Sequence, residues 1–217
     1  MTLRFGILVA AVLALGSCGT PQLQQTALGI ALGEDIAGSD TGQFPRFAPL
    51  LAAGRGPALN VVAVETGVRG GFLRESKTGN IESWLGNDGV SLSFDRGVLH
   101  GTRGIGAGLL TSDVAASANA VLAGRSGDVE RIHTFLNANN QAISRAYICT
   151  ITNNGSETIN LDNGPTATRR MTEVCRNIDQ EFTNLYWVDT RRGRIVQSQQ
   201  WSGEFVGDLS ITTVYNF

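Results

Sequence analysis

Histidine and cysteine are scarce in this chain, with two of the first and three of the second among 217 residues. No second cysteine pair or histidine cluster stands beside them, so no metal site is expected and zinc in particular is excluded. His100 and His133 lack a serine or cysteine in a recognisable nucleophile motif, and both read as structural or surface residues. His133 alternates outward from Ile132 and Thr134; His100 lies beside Gly101 on a candidate strand. Positive charge is sparse too. Arg169-Arg170 and Arg191-Arg192 are isolated pairs, and 17 basic residues face 19 acidic ones. Nucleic acid demands a concentrated basic surface, so it is excluded as a partner. Long apolar runs are missing: Phe5–Leu15 covers about a dozen residues, short of the roughly 20 that cross a bilayer.

That short run has a use. Arg4 precedes it, and small residues followed by Cys18 end it in Leu15-Gly16-Ser17-Cys18. A charged start, an apolar middle and a small-residue cut are the parts of a secretory signal. A cysteine directly after the cut has the form of a lipobox, in which Cys18 is lipidated (a palmitate-bearing anchor) and becomes the first mature residue. Removing residues 1–17 leaves 200, enough for one domain with a sizeable core. It also removes Arg4, so 16 basic residues remain against 19 acidic.

Residues 18–44 read as the lipidated N-terminus and a flexible tether, rich in Gly, Gln, Ala, Thr and Asp, with a short helical stretch near Leu23–Leu32. Residues 45–217 form a single β-rich periplasmic domain. Pro45–Gly54 predicts a short helix ended by glycine. Strands are expected at Leu59–Glu65, Phe72–Ser76, Asn80–Leu85, Val90–Asp95 and Val98–Thr102, where apolar or β-branched residues alternate with polar ones. Lys77-Thr78-Gly79, Asn87-Asp88-Gly89 and Arg96-Gly97 turn the chain between them. A glycine-rich strand-to-helix corner, Thr102–Leu110, leads to a helix at Ser112–Ala123 stopped by Gly124. A second series of strands follows, near 128–137, 141–152, 157–161, 166–176, 181–189, 194–201 and 208–216. The fold class is mainly β: an antiparallel meander that hides its edges by closing into a barrel-like or sandwich domain, with one or two short helices.

With Cys18 taken by lipid, Cys149 and Cys175 are left to form one disulfide in an oxidising compartment, worth roughly 3 kcal/mol. A plain meander keeps these two apart, because residues 157–161 would lie between their strands. The bridge therefore requires strands 142–152 and 170–178 to pair directly, with Glu157–Leu161 as a projecting flap.

Chemistry is hard to place. Gly104, Gly106 and Gly108 follow G-x-G-x-G spacing with no lysine after them and no parallel βαβ unit, which excludes a phosphate loop; close backbone packing is the expected reason for the glycines. Asp88, Asp95, Glu130, Glu173 and Asp189 are scattered over turns and strands without acid–base spacing. No catalytic residue and no cofactor is assigned, and the chain reads as a non-enzyme. The aromatics are more telling. On Phe182–Val188, alternation puts Phe182, Tyr186 and Val188 on one face, with Leu185 and Trp187 on the other, so something covers the outer face. The candidate ligand or partner surface is Trp84, Arg103, Tyr186, Trp187 and Trp201.

Taken in order, the motifs resemble one family. They are the lipobox; Glu65-Thr66; Trp84 with Asp88-Gly89; Thr102-Arg103-Gly104-Ile105-Gly106 with Leu109; Cys149, Glu173 and Cys175; Asn184–Val188; and Ser198–Trp201. The set resembles the YjbF/GfcB lipoproteins of exopolysaccharide and group 4 capsule production over about residues 58–217. The resemblance implies a barrel-like domain at the periplasmic face of the bacterial outer membrane, held there through lipid on Cys18. Gly19, rather than Asp, after the cysteine agrees with outer-membrane sorting as it works in enteric bacteria. It implies a role in export or assembly of a surface polysaccharide, with that polysaccharide and periplasmic or outer-membrane export proteins as partners. Two alternatives stand beside it: a glycan-binding module that uses exposed aromatics, and a periplasmic carrier with an apolar barrel cavity.

Overall fold

Alternating side chains become strands along most of the chain. The computed structural model describes residues 46–216 apart from Arg55 and Ala138, and these belong to one compact unit. Cys18, the signal segment and the whole tether, including Leu23–Leu32, lie outside the described residues. Twelve strands are described. The first five are β1 (Ala58–Ala63), β2 (Arg69–Thr78), β3 (Ile81–Gly86), β4 (Ser91–Asp95) and β5 (Val98–Arg103). Then come β6 (Leu109–Asp113), β7 (Gly127–Leu136), β8 (Ala142–Leu161) and β9 (Gly164–Arg176). The last three are β10 (Glu181–Asp189), β11 (Arg194–Trp201) and β12 (Asp208–Val214). Two helices accompany them, α1 (Phe47–Ala53) and α2 (Ala115–Ala123).

Tight turns set the register. Arg96 at φ 50° and Gly97 at φ 94° give the left-handed pair that a two-residue hairpin needs, and Asp95 stands opposite Val98 across it. The strands form one sheet in the order β5-β4-β3-β2-β1-β12-β11-β10-β9-β8-β7-β6. Two meanders are thus joined by antiparallel pairing of the first and last strands, with Val61 opposite Ile211. The sheet is a nearly closed barrel, not a sandwich. Its seam falls between β5 and β6, which are consecutive in the chain and in contact but stand at the two ends of the order.

Two sequence expectations are corrected at the seam and beyond it. The glycine corner joins strand to strand rather than strand to helix: Leu109–Asp113 pairs with β7, Leu109 opposite Phe135, and the helix starts only at Ala115. Glycine is needed here for the reason given above. A Cβ on Gly106, at φ 62°, would lie 2.3 Å from the Phe205 ring. Nor is Glu157–Leu161 a separate strand. It continues β8 past a bulge at Asn153–Ser156 and pairs with β9, Leu161 opposite Gly164. The pairing of β7 with β8 ends at Ile151, so the hairpin end projects beyond β7. Its tip returns to the chain end, where Asp162 Oδ2 accepts from the backbone of Tyr215 at 2.7 Å. Cys149 stands directly opposite Cys175 and is bonded to it, with Cα atoms 3.9 Å apart.

The barrel interior holds Leu59, Phe72, Trp84, Leu92, Phe94 and Ile211 on one side. The other side holds Ile151, Met171, Tyr186 and Val188, with Ala118 and Val121 of α2 packed on them. Helix α2 therefore covers part of one barrel end. The guanidinium of Arg169 donates to the Leu122 carbonyl at 2.7 Å, satisfying the helix's C-terminal acceptors. Helix α1 lies on the outside, where Phe47 packs on Leu73 and Leu85. It ends at Gly54, which is left-handed at φ 54°. No helix among the described residues is long and apolar enough to cross a membrane.

Candidate functional site

Helix α2 covers only half of its barrel end. Over β1–β4, β11 and β12 that end stays open as a cleft of about 410 Å³. Its walls are Leu59, Trp84, Phe94 and Ile211, inward residues placed by strand alternation. Its rim is cationic because strand ends and a turn converge there: Arg74 and Lys77 from β2, Arg96 from the β4–β5 turn and Arg194 from β11. Arg74 and Lys77 share Glu82 Oε1 at 3.3 and 3.2 Å, and Arg96 Nε reaches Asp95 at 2.7 Å. Arg194 bonds the Tyr215 hydroxyl, has no carboxylate partner among the described residues, and leaves its shielded Nε without an acceptor.

Deeper in the barrel lies a fully buried polar cluster. Glu173 Oε2 accepts from Arg131 at 2.7 Å, Asn184 at 2.8 Å and Tyr186 at 2.7 Å. Ser117, on α2, donates to Glu173 Oε1 at 2.5 Å. Burial alone would raise the Glu173 carboxyl, but the Arg131 charge and these hydrogen bonds outweigh it and hold the group below the usual range. Burial likewise acts to lower Arg131, and Glu173 more than compensates. The Tyr186 phenol is pushed well above its ordinary value by burial and then by the Glu173 charge. Arg131 Nε donates to His133 Nε2 at 2.7 Å, which assigns the proton to Nδ1, where no acceptor is present among the described residues. Burial, then the Arg131 charge, lower His133 to about 2, so it is neutral. With four donors on Glu173, three of them on Oε2, and His133 facing a cation, the cluster is built to hold α2 and three strands together. Donor atoms of Cys149, Glu173 and Cys175 lie within 4.8 Å of one another. The two sulfurs are bonded to each other, and the Glu173 charge is already matched by Arg131, so these residues do not fit a metal.

At the opposite end, a second cleft of about 470 Å³ is lined by Phe135, Ile143, Arg145, Trp201, Glu204 and Phe205. Trp201 stacks on Phe182, centroids 4.5 Å apart and planes 13° apart, and on His133 at 5.8 Å. Phe205 is 71% exposed.

The five aromatic and arginine candidates do not share one surface. Trp84 is buried in the wall of the cationic cleft, and Tyr186 is buried in the polar cluster. Trp201 borders the second cleft, Arg103 is exposed near the seam, and Trp187 faces outward, half-buried. The cover over Trp187 is Arg170 of β9, its guanidinium 5.8 Å from the ring centre. His133 is corrected: it points inward and is fully buried, whereas Ile132 is 42% exposed. His100 lies at the seam beside Thr111. Asp88 and Glu130 are exposed, Asp95 and Asp189 pair with Arg96 and Arg192, and only Glu173 enters the cluster. Arg131 and Ser117 are not singled out by the sequence, and Asn184 stands out there only as the start of the Asn184–Val188 motif. One signal could have found them: Cys175, Glu173 and Met171 share a face by period two, so an inward cysteine buries Glu173 and demands a cation.

The sequence model of a family described as "Group 4 capsule polysaccharide lipoprotein gfcB, YjbF" matches residues 40–214. Among solved structures, the chain is similar to the crystal structure of the hypothetical lipoprotein YmcC from Escherichia coli (K12). Identity is 20%, the TM-score is 0.63, and the match covers 73% of this chain and 86% of that one. No curated protein matches the chain significantly.

Proposed function

The chain belongs to the YjbF family of group 4 capsule polysaccharide lipoproteins, and from that premise we propose that it assists export or assembly of a surface polysaccharide, anchored by lipid on Cys18 at the periplasmic face of the outer membrane. As a lipoprotein of this family it is membrane-anchored or periplasmic. The family match across the whole folded unit is the observation that carries the reading. A non-enzymatic role agrees with a Glu173 paired to Arg131 and a neutral, cation-facing His133. The test is deletion in the host, with complementation by wild type and by Cys18→Ser. Surface polysaccharide should fall on deletion and return with wild type only, and palmitate should label wild type but not the variant. Normal polysaccharide in the deletion strain would refute the role, and full rescue by Cys18→Ser would refute the need for an anchor.

One observation favours direct glycan contact as a second reading: Trp201 and exposed Phe205 lie beside Arg145 and Asn137 in one cleft. Aromatic faces stack on sugar rings while such neighbours supply hydrogen bonds. Saturable calorimetric heat with the host polysaccharide, lost in Phe205→Ala, is the expected result; no heat at high concentration leaves a protein-binding scaffold.

A further inference from the structure

We propose that the open half of the α2 barrel end binds an anionic single-chain amphiphile, its apolar chain against Trp84 and Phe94 and its phosphate or carboxylate head among the rim cations. The cleft, at about 410 Å³, falls in the size range of small-molecule sites, and it reaches Leu59, Trp84, Phe94 and Ile211 of the apolar barrel interior. Leu59, Trp84, Phe94 and Ile211 offer a hydrocarbon an apolar wall, while Gln197, Ser198 and Thr213 make the rest of the lining polar.

Charge selects the head group. Arg74 and Lys77 divide one carboxylate, Glu82, while Asp95 neutralises Arg96. Arg194 has no carboxylate at all among the described residues. Two positive charges at the rim are therefore uncompensated, and a phosphate monoester carries about −1.5 to −2 at neutral pH. The shielded Arg194 Nε–H is a buried donor without an acceptor, which an anionic oxygen would satisfy. Pro57, which leads into β1, lines the same cleft, and Arg46 bonds Glu75 at 3.2 Å near the end of β2. This site would exist whether or not the protein handles polysaccharide, since it rests on the cleft alone.

The experiment uses the chain secreted with Cys18→Ser, free of lipid, titrated below micelle formation with farnesyl phosphate and with dodecyl phosphate. Farnesol and inorganic phosphate are the controls. Heat and tryptophan fluorescence are followed together. The expected result is saturable binding of at least one amphiphilic phosphate and none of inorganic phosphate. Affinity should drop about tenfold or more in Arg194→Gln and in the exposed pair Arg74→Gln/Lys77→Gln, each checked for an unchanged melting transition. The second variant serves if the first does not fold. Trp84→Phe should keep the heat and lose most of the fluorescence change. A preference for farnesyl over dodecyl phosphate assigns the chain to an isoprenoid-linked source, and the reverse to an acyl lipid. Three results would overturn the site: no saturable binding of either phosphate, equal binding of farnesol, or a fluorescence change that survives in Trp84→Phe.

Discussion

Arg131 and Glu173 meet at 2.7 Å in the barrel interior, and neither side chain has any solvent exposure. They lie on β7 and β9, with the disulfide-bonded strand β8 between them. The pair therefore reaches across a strand and also binds α2 through Ser117.

Removing one partner leaves the other charge buried and unpaired. Glu173→Gln should cost about 3–5 kcal/mol, and Arg131→Met a similar amount. The double variant Arg131→Met/Glu173→Leu should lose less than the sum of the singles, because no orphan charge remains. Urea unfolding of the three proteins measures this; full additivity would mean that the two side chains are not coupled.

Acid should weaken the fold before any carboxylate titrates, and His133 is the reason. Its folded value is lowered to about 2, against about 6.5 in an unfolded chain. The unfolded state therefore takes up a proton that the folded state refuses, and falling pH favours unfolding. The contribution is intact above about pH 6.5 and is lost at about 1.4 kcal/mol per unit as pH drops below it. Between pH 6 and 4.5 the loss is about 2 kcal/mol. Glu173, with its lowered value, adds its own loss only below about pH 4.3, as its folded value is approached. His133→Phe should be less stable at neutral pH, since Arg131 Nε loses its acceptor, yet flatter between pH 6 and 4.5. An unchanged slope in that window would assign the acid sensitivity elsewhere.

Reduction of Cys149–Cys175 should cost about 3 kcal/mol, given the sequence separation of 26 residues. For a domain of this size that lowers the melting temperature by about 6–12 °C. Calorimetry with and without reductant, and on Cys149→Ser/Cys175→Ser, checks it. The projecting hairpin depends on the bridge through β8 and β9, so proteolysis near Asp162 and Asn163 should speed up on reduction.

The turns of this barrel were readable because they are local. Asp88-Gly89 and Arg96-Gly97 each specify a hairpin whatever surrounds them, and Gly54 and Gly124 end their helices at the expected places. The disulfide also forced one correct long-range statement, the direct pairing of β8 with β9. Closure was expected from the length of the meander, but the strands that join its two halves were not readable. Val61 meets Ile211 across 150 residues, and nothing near either residue announces the partner. The polar cluster was hidden by the same physics that makes it work. Arg131 and His133 occupy inward positions while Ile132 faces solvent, so the apolar-in rule inverts on β7 wherever an interior cation has an interior anion. Leu109–Asp113 reads as the approach to a helix because it is short, and the partner of Leu109, Phe135, lies beyond α2.

The seam is the last element the sequence could not show, and it makes a sharp test. Along β5 and β6, side chains take the place of a full backbone ladder. The Ser112 hydroxyl stands 3.0 Å from the Leu99 carbonyl and 3.1 Å from that of His100, with one proton for the two. Thr102 Oγ1 donates to the Leu109 carbonyl at 3.4 Å. Close approach is allowed by Gly101, where a Cβ would sit 3.1 Å from the Leu110 carbonyl oxygen. Ser112 is buried, so Ser112→Ala strands acceptors away from water and should cost about 1–3 kcal/mol. The loss should be local as well as global. Amide hydrogen exchange should quicken along β5 and β6 by more than it does along β1 and β12, whose backbone ladder is complete. Uniform quickening across all strands would show that the seam opens only with the whole barrel, and that the β5–β6 contact is as cooperative as a paired edge.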